Sequence, residues 1–146
     1  MQFNLRELAD KVRQAAWKEI LPRFQKVQDL DVRAKADATD LVTTADEAAE
    51  RFLKQAVESI MPGVLFVGEE SASGDTGLLD RLDHAETAIV VDPLDGTANF
   101  VAGVPLFAVV AAVVRQGKAV AGVIYDPMND DWVMAEQGQW SIFDPS

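Results

Sequence analysis

The apolar run Ala88–Val91 ends abruptly in the segment Asp-Pro-Leu-Asp-Gly-Thr-Ala-Asn-Phe, which occupies residues 92–100. A short apolar run bounded by turn-forming residues is typical of a buried strand. Pro93 fixes one backbone angle and removes a hydrogen-bond donor, and Gly96 allows backbone conformations that other residues avoid. The sequence therefore predicts a buried strand that ends in a sharp turn with two aspartates.

These two aspartates, Asp92 and Asp95, have only two residues between them and can converge on one point. Anions held that close repel each other, so a shared proton, a basic partner or a bound cation must offset the charge. No Lys or Arg occurs between Glu86 and Val114. A hard divalent cation is the simplest answer, because Mg²⁺ takes oxygen ligands and keeps waters for a phosphate substrate.

The composition excludes several other chemistries. The chain has 146 residues, 49% of them apolar, which is enough for one packed domain over 1–146. Its net charge of -11 argues against binding nucleic acid or an anionic membrane through a basic face. With no Cys and a single His, thiolate sites and multi-His zinc sites are excluded. Because neither a membrane-spanning run nor a secretory signal is recognisable, we expect a cytoplasmic protein.

The first third of the chain has helical periodicity. Apolar residues recur at helical spacing from residue 4 to about 28, with Asn4 and Glu7 as a capping box. Pro22 is expected to kink or split this helix. Residues 29–43 are polar and mixed, which favours an extended connection.

A second helix is predicted from about residue 45 to 61. Thr44 and Glu47 form another candidate capping box, and Pro62 followed by Gly63 stops the apolar stripe. The second helix is therefore expected to begin only after the polar connection has ended.

Beyond residue 63 the pattern changes to short apolar runs separated by turn signals. The predicted strands lie at 64–67, 87–91, 107–114, 119–125 and 132–135, with a mobile loop over 72–86, a short helix from 97 and a hairpin at 115–118. Two helices followed mostly by strands indicate an α+β fold, in which the helices pack on one face of a mainly antiparallel sheet.

Acidic residues lie at the ends of three predicted elements. They are Glu69 and Glu70 after one strand, Asp92 and Asp95 after another, and Asp40 and Asp46 around the start of the second helix. If the two strands are neighbours, Glu69 and Asp92 lie at one edge of the sheet and can share a cation. That cation, held by Glu69, Asp92 and the Leu94 carbonyl, would keep positions for water and a phosphate oxygen.

The remaining candidate roles follow from the same turn. Asp95 can reach a second ion bridged by Asp92. Thr97 can hydrogen-bond a water on the metal, and Asp46 can accept the proton from Thr97. The amides of Gly96 and Thr97, at a helix start, would suit a phosphate.

Three motifs in this order resemble the inositol monophosphatase family. They are the segment 92–100, Gly-Glu-Glu-Ser at 68–71, and Lys35 with Asp-Leu-Val-Thr-x-x-Asp at 40–46, and the resemblance covers about residues 4–136. It implies a Mg²⁺-dependent, lithium-sensitive phosphomonoesterase with layered α/β/α/β/α architecture. It also implies a homodimer that acts on a small phosphorylated metabolite and binds two or three Mg²⁺ ions.

The resemblance also implies roles for individual residues. Those implied as metal ligands are Glu69, Asp92, Asp95 and the Leu94 carbonyl. Thr97 and Asp46 would activate the attacking water, with Glu69 counted beside them as catalytic. The substrate phosphate would be held by Gly96 and Thr97, with Asp95 as a further substrate contact.

The chain also departs from the family's pattern. Family members are longer, and their C-terminal half supplies a further metal-ligating Asp in a Trp-Asp-x-Ala segment. None of Trp17, Trp132 and Trp140 precedes an Asp, and the tail 138–146 lacks the expected Gly-rich pattern. We therefore expect an N-terminal, metal-binding half of the fold with an incomplete second metal site.

Three other interpretations compete with a phosphatase of this type. The chain can instead be a catalytically impaired fragment that binds metal or self-associates through an uncovered apolar face. A haloacid dehalogenase-type phosphatase would need Asp-x-Asp, whereas two residues separate Asp92 from Asp95. Taken alone, these aspartates also fit an ordinary capped turn.

Overall fold

The structure, a computed structural model, describes the backbone of residues 2–143, and the side chains of these residues except 32 and 140–143. Its helices are α1 (Leu5–Ala15), α2 (Leu21–Gln28), α3 (Lys35–Ile60), α4 (Glu69–Gly74), α5 (Leu78–His84) and α6 (Thr97–Ala102). A π-helical turn, Ala16–Ile20, joins α1 to α2, and a 3-10 turn, Val32–Ala34, precedes α3. No helix within residues 2–143 is both long and apolar enough to cross a membrane.

A single six-stranded sheet forms the other layer, with its strands in chain order. They are β1 (Leu65–Val67), β2 (Ala88–Asp95), β3 (Ala108–Arg115), β4 (Lys118–Asp126), β5 (Asp131–Glu136) and β6 (Gln139–Phe143). β1 and β2 are parallel, and every later neighbour pair is antiparallel. The predicted α+β class and mainly antiparallel sheet are confirmed. Strand β6 was not predicted, and residues 144–146 of the unusual tail lie outside the described part of the chain.

The first helical stretch accommodates its proline without breaking. Asn4 caps α1 by accepting a hydrogen bond from the Glu7 amide at 3.1 Å, as the capping-box motif predicts. Before Pro22 the backbone widens, and the Leu21 amide donates to the Ala16 carbonyl five residues back. A proline ring clashes with the carbonyl four residues earlier in a regular α-helix, so the π turn provides room for it.

The expected start of the second helix is wrong by about ten residues. Residues 35–43, predicted as part of an extended connection, form the first turns of α3. Thr44, predicted as the N-cap, lies inside the helix, so the Thr44–Glu47 capping box does not exist. The buried stripe of α3 begins at Ala38 and continues through Val42, which pack into the core. Burial of this stripe outweighs the low helix propensity of the Asp and Thr residues between its members.

The predicted mobile loop over 72–86 is also wrong. Helices α4 and α5 occupy most of it, and Leu78 is buried at the first position of α5. Gly74 and Gly77 flank the break between the two helices rather than marking a long loop. The strands and the hairpin turn predicted farther along are confirmed, with Gln116 and Gly117 in the left-handed conformation that a tight hairpin needs.

The two faces of the sheet differ in what covers them. Helices α1 and α3 pack on one face over a core of alternate strand residues such as Ile89, Val109 and Val123, and α2 packs against α3. On the opposite face, which we call the open face, small apolar side chains align across neighbouring strands. They are Val90, Val110, Ala112, Ile124, Val133 and Ala135.

An aromatic cluster anchors α6 to the helix layer. The rings of Phe24, Phe100 and Phe107 lie with centroids 4.8–5.4 Å apart, and Phe100 is fully buried. Since Phe100 lies one turn after Thr97, this cluster fixes the position of the helix that follows the aspartate-rich turn. Edge-on aromatic contacts add to the stabilisation from apolar burial.

Replacing Phe100 by Ala should destabilise the fold by about 3–5 kcal/mol, because it empties the centre of this cluster. The measurement is the free energy of unfolding from a urea titration. Val104→Ala, at a 43% exposed position nearby, is the control and should change this energy by less than about 0.5 kcal/mol. Equal effects of the two substitutions would contradict the role given to the cluster.

Candidate metal and phosphate site

The parallel pairing of β1 and β2 brings the two strand-end acidic motifs to one edge of the sheet. Val67 lies opposite Val90 in this parallel pairing, so the residues that follow each of them lie at the same end of the sheet. Glu69 follows β1 by two residues and Asp92 lies two residues beyond Val90. The predicted condition for a shared site, that the two strands are neighbours, is therefore met.

A β-bulge places Asp92 and Asp95 on the same side of the sheet. Asp92 pairs with Val110 and Asp95 with Ala108, so three steps along β2 face only two along β3. In a regular strand, residues three apart point to opposite faces, and one extra residue restores a common face. Strand β2 thus extends through the segment predicted as a turn, and both aspartates remain exposed beside the open face.

Helix α3 supplies the third acidic group. Asp46, predicted at the start of a helix, lies in the middle of α3 instead, with its side chain half-buried. Asp46, Glu69 and Thr97 line one cleft of about 490 Å³, together with Glu47, Glu50, Glu70, Val42, Thr43 and Ser73. This described lining contains no Lys or Arg, so no basic side chain there offsets the charge.

Burial and mutual repulsion show in the acid–base properties of the cleft. Desolvation, followed by the charge of Glu69 and a hydrogen bond to it, raises the pKa of Asp46 to about 7. Partial desolvation also raises the pKa of Asp92, although its side chain keeps contact with solvent. The charges of Asp95 and Glu69 add to the rise, and a hydrogen bond from the Leu94 amide at 3.3 Å opposes it. Asp46, Glu69, Asp92 and Asp95 therefore form one electrostatically coupled group.

The backbone around Gly96 shapes the start of α6. Gly96 has a φ of +95°, and a Cβ at this position would lie 3.0 Å from the Leu106 carbonyl oxygen. Only glycine combines that conformation with so close a backbone approach. Thr97 is the first residue of α6, where the sequence predicted that a short helix begins, and it lines the cleft.

A buried glutamate is the functional candidate that the sequence analysis missed. Glu50 is only 5% exposed, lines the same cleft, and contributes its charge to the raised pKa of Asp46. It lies one helical turn after Asp46, on the buried side of α3. The signal available in the sequence was a glutamate at a position where the apolar stripe of the helix would otherwise continue.

Other acidic and basic candidates do not enter the cleft lining. Asp40 and Lys35 are both exposed residues of α3 outside the lining of this cleft. Within the described residues no group of three or more His, Cys, Asp or Glu side chains is close enough to hold a metal ion directly. Asp92 and Asp95 also lie outside this lining, so the predicted acids do not form a closed coordination shell in the cleft.

Comparison with known proteins agrees with this geometry. Residues 2–144 match the inositol monophosphatase family. The chain belongs to the inositol monophosphatase family. It is 39% identical over 123 residues to an inositol-1-monophosphatase of Rhizobium meliloti, which covers 84% of this chain and 44% of the relative. It is also 32% identical over 131 residues to the Nus factor SuhB of Vibrio cholerae, covering 90% of this chain and 46% of the relative.

Solved structures of family members share the fold. The extragenic suppressor protein suhB of Bartonella henselae matches with a TM-score of 0.71 and 29% identity, over 99% of this chain and 52% of that one. Inositol monophosphatase-II of Staphylococcus aureus matches with a TM-score of 0.69 and 29% identity, over 94% of this chain and 48% of that one. The chain thus spans about half the length of the relatives that it matches, as the N-terminal part predicted from the motifs.

The raised pKa of Asp46 predicts a pH dependence of stability without added metal. A carboxyl that keeps its proton to about pH 7 when folded, but loses it near pH 4 when unfolded, destabilises the fold as pH rises between these values. Because Asp46 is only half-buried, we expect a loss of about 1–2 kcal/mol, less than the full shift implies.

Urea titrations at pH 5 and pH 8 measure this loss. Asp46→Asn should remove that part of the wild-type difference, whereas Asp40→Asn, at an exposed position of the same helix, should keep it. At pH 8 the Asp46→Asn variant should be more stable than the wild type. The opposite order at that pH would contradict the predicted direction of the pH effect on stability.

Proposed function

We propose that this chain carries the metal and phosphate site of a Mg²⁺-dependent phosphomonoesterase. The observation that carries the proposal is that Asp46, Glu69 and Thr97 line one cleft without a basic side chain, and that Asp92 lies close enough for its charge to act on Asp46. Family membership supports it, since curated relatives of this chain include proteins named inositol-1-monophosphatase. The proposed substrate is a small phosphate monoester of the inositol monophosphate type.

The donor chemistry of the site fits magnesium. Carboxylate and carbonyl oxygens are the ligands that Mg²⁺ prefers, and the coupled acids need a cation to offset their repulsion. We assign Glu69, Asp92 and the Leu94 carbonyl to one ion, and Asp95 with Asp92 to a second. When bound, Mg²⁺ would neutralise the phosphate and polarise the water that attacks phosphorus.

The protein's own residues would orient the reaction. The Thr97 hydroxyl would accept the proton of the attacking water and pass its own to Asp46, whose raised pKa suits a proton acceptor near neutral pH. The amides of Gly96 and Thr97, together with Asp95, would hold the substrate at the start of α6. Glu69 would share in catalysis by positioning the ion.

The remaining family properties are proposals as well. Lithium sensitivity, a cytoplasmic location and a homodimer would follow if this chain behaves as its family does. With a net charge of -11, an anionic substrate would bind through metal ions rather than through a basic surface. The same charge disfavours binding to nucleic acid and to anionic membranes.

Replacing a residue outside the coordination shell typically weakens metal binding by roughly 10- to 100-fold. Asp92→Asn should weaken Mg²⁺ binding by more than this, because Asp92 is a proposed ligand. Calorimetric titration of the 146-residue chain with Mg²⁺ measures this, and release of phosphate from inositol 1-phosphate measures turnover. The loss follows from removing one charged oxygen ligand.

Asp126→Asn is a matched control, because Asp126 also accepts a hydrogen bond from the amide two residues later, that of Met128, at 3.0 Å. If both substitutions left Mg²⁺ binding unchanged, Asp92 would be an ordinary turn-capping residue and the proposal would fail.

The open face supports a second candidate, that the chain by itself self-associates and is impaired in catalysis. Ile124 and Val133 lie opposite each other on β4 and β5, and are 53% and 44% exposed. The aligned residues of this face carry no charge between β3 and β5, so no like charges would meet directly across such a contact. A second copy of the same flat apolar face is the occupant that we propose.

Ile124→Lys should shift the chain toward monomer in sedimentation velocity measured over a range of concentrations. The substitution makes the net charge less negative and so lowers general repulsion, which isolates the effect of the open face. Leu79→Lys, at a 59% exposed position on α5, is the control and should not change the assembly state. A wild-type chain that remains monomeric at all concentrations would exclude this second candidate.

A further inference from the structure

Glu50 is a buried acidic side chain whose place in the fold needs a reason. Charged side chains are seldom buried unless their polar atoms are satisfied. Glu50 is 5% exposed and lies in the middle of α3, in the stripe that faces the core. Replacing it with an apolar residue would continue that stripe, so the carboxylate must serve the segment that it contacts.

That segment is the turn after β1. Oε1 of Glu50 accepts a hydrogen bond from the Glu70 amide at 3.0 Å. Oε2 accepts from the Ser71 amide at 2.9 Å and from the Ser71 hydroxyl at 3.0 Å. These donors lie in the first turn of α4, where backbone amides have no partner within the helix. Three hydrogen bonds on one carboxylate hold the turn against α3.

The contact is tight enough to dictate the residue before the turn. A Cβ at Gly68 would lie 2.3 Å from Cδ and 2.4 Å from Oε1 of Glu50. Any larger residue would push the carboxylate away from the turn or push the turn away from α3. The closeness of Glu50 therefore explains the glycine of the Gly-Glu-Glu-Ser motif. The backbone angles of Gly68 do not require glycine, since its φ is -124°.

The same helix face contacts two successive parts of the turn. Asp46 and Glu50 are one helical turn apart, about 6 Å along α3. Asp46 and Glu69 line the same cleft, while Glu50 holds the next two residues, Glu70 and Ser71. Fixing the backbone at 70 and 71 thereby fixes the direction of the Glu69 side chain toward the cleft.

We propose that Glu50 is a positioning residue, which holds Glu69 at the metal site by anchoring the turn 68–71 to α3. The inference rests on the proposed function, since it assigns to Glu50 the orientation of a metal ligand. Residues that orient metal ligands from outside the coordination shell typically change metal affinity by about 10- to 100-fold when replaced. Glu50 would act in this way without touching ion or substrate.

A simple structural role makes a different prediction. If Glu50 only capped α4, its loss would lower the stability of the fold but would leave the metal affinity of the folded protein unchanged. Metal affinity and local amide protection therefore separate a positioning role from a capping role, whereas a melting temperature does not.

Glu50→Gln keeps the shape of the side chain but replaces one acceptor oxygen with a donor that faces backbone amides. We expect exchange of the Glu70 and Ser71 amides to accelerate at least about tenfold, and the Kd for Mn²⁺ to rise about 10- to 100-fold. Hydrogen exchange and calorimetric titration with Mn²⁺ on the 146-residue chain measure these effects. Glu58→Gln is the matched control, because Glu58 lies on the same helix and accepts from the Gly63 amide, away from the cleft.

A double-mutant cycle tests the link between Glu50 and Gly68. Gly68→Ala alone should weaken Mn²⁺ binding, because the new methyl group displaces the carboxylate. Combined with Glu50→Ala, which makes room for the methyl group, it should add less than about twofold to the loss from Glu50→Ala alone. Additive losses would show that the two residues act independently and would overturn the proposal.

The remaining outcomes are also decisive. Glu50→Gln can bind Mn²⁺ with wild-type affinity while the amides of residues 70 and 71 exchange faster with solvent. That result would show that Glu50 only caps α4, and it would overturn the positioning role. If the wild-type chain takes up no Mn²⁺, the proposed function fails. The positioning role then fails with it, while the amide exchange still reports whether Glu50 anchors the turn.

Discussion

The parallel pairing of β1 with β2 is the constraint on which the rest of the site depends. Every other neighbour pair in the sheet is antiparallel, and an antiparallel β1 would send Glu69 to the far end of the sheet from Asp92. Parallel strands need a crossover connection, which here consists of α4 and α5. Those two helices therefore have a topological purpose, besides carrying the turn that Glu50 holds.

Helix α3 converts that shared edge into a cleft. It packs on the core through Ala38, Val42 and their successors, and presents Asp46 and Glu50 to the turn after β1. The free energy gained by burying these apolar residues thus offsets the repulsion between carboxylates that α3 and the turn bring close together. The raised pKa of Asp46 measures this opposition, and a divalent cation is the natural partner for it.

The sequence analysis predicted the acidic motifs because they sit at the ends of apolar runs, where local pattern is most informative. It missed the first turns of α3, because the Asp and Thr residues of that segment favour caps and turns in isolation, while packing against the rest of the protein decides otherwise. It also missed Glu50. Its position in an otherwise apolar helical stripe indicated burial, but only the fold shows the three donors of α4 that its carboxylate meets.

The bulge in β2 carries a consequence for the pairing of this strand. Asp92 and Asp95 are three residues apart, and they share a face only because the bulge takes up the odd residue between them. If the same sequence paired with β3 without the bulge, Asp95 would turn toward the helices, even if every side chain were kept. The irregular register of β2 with β3 is therefore as much a part of the site as its carboxylates.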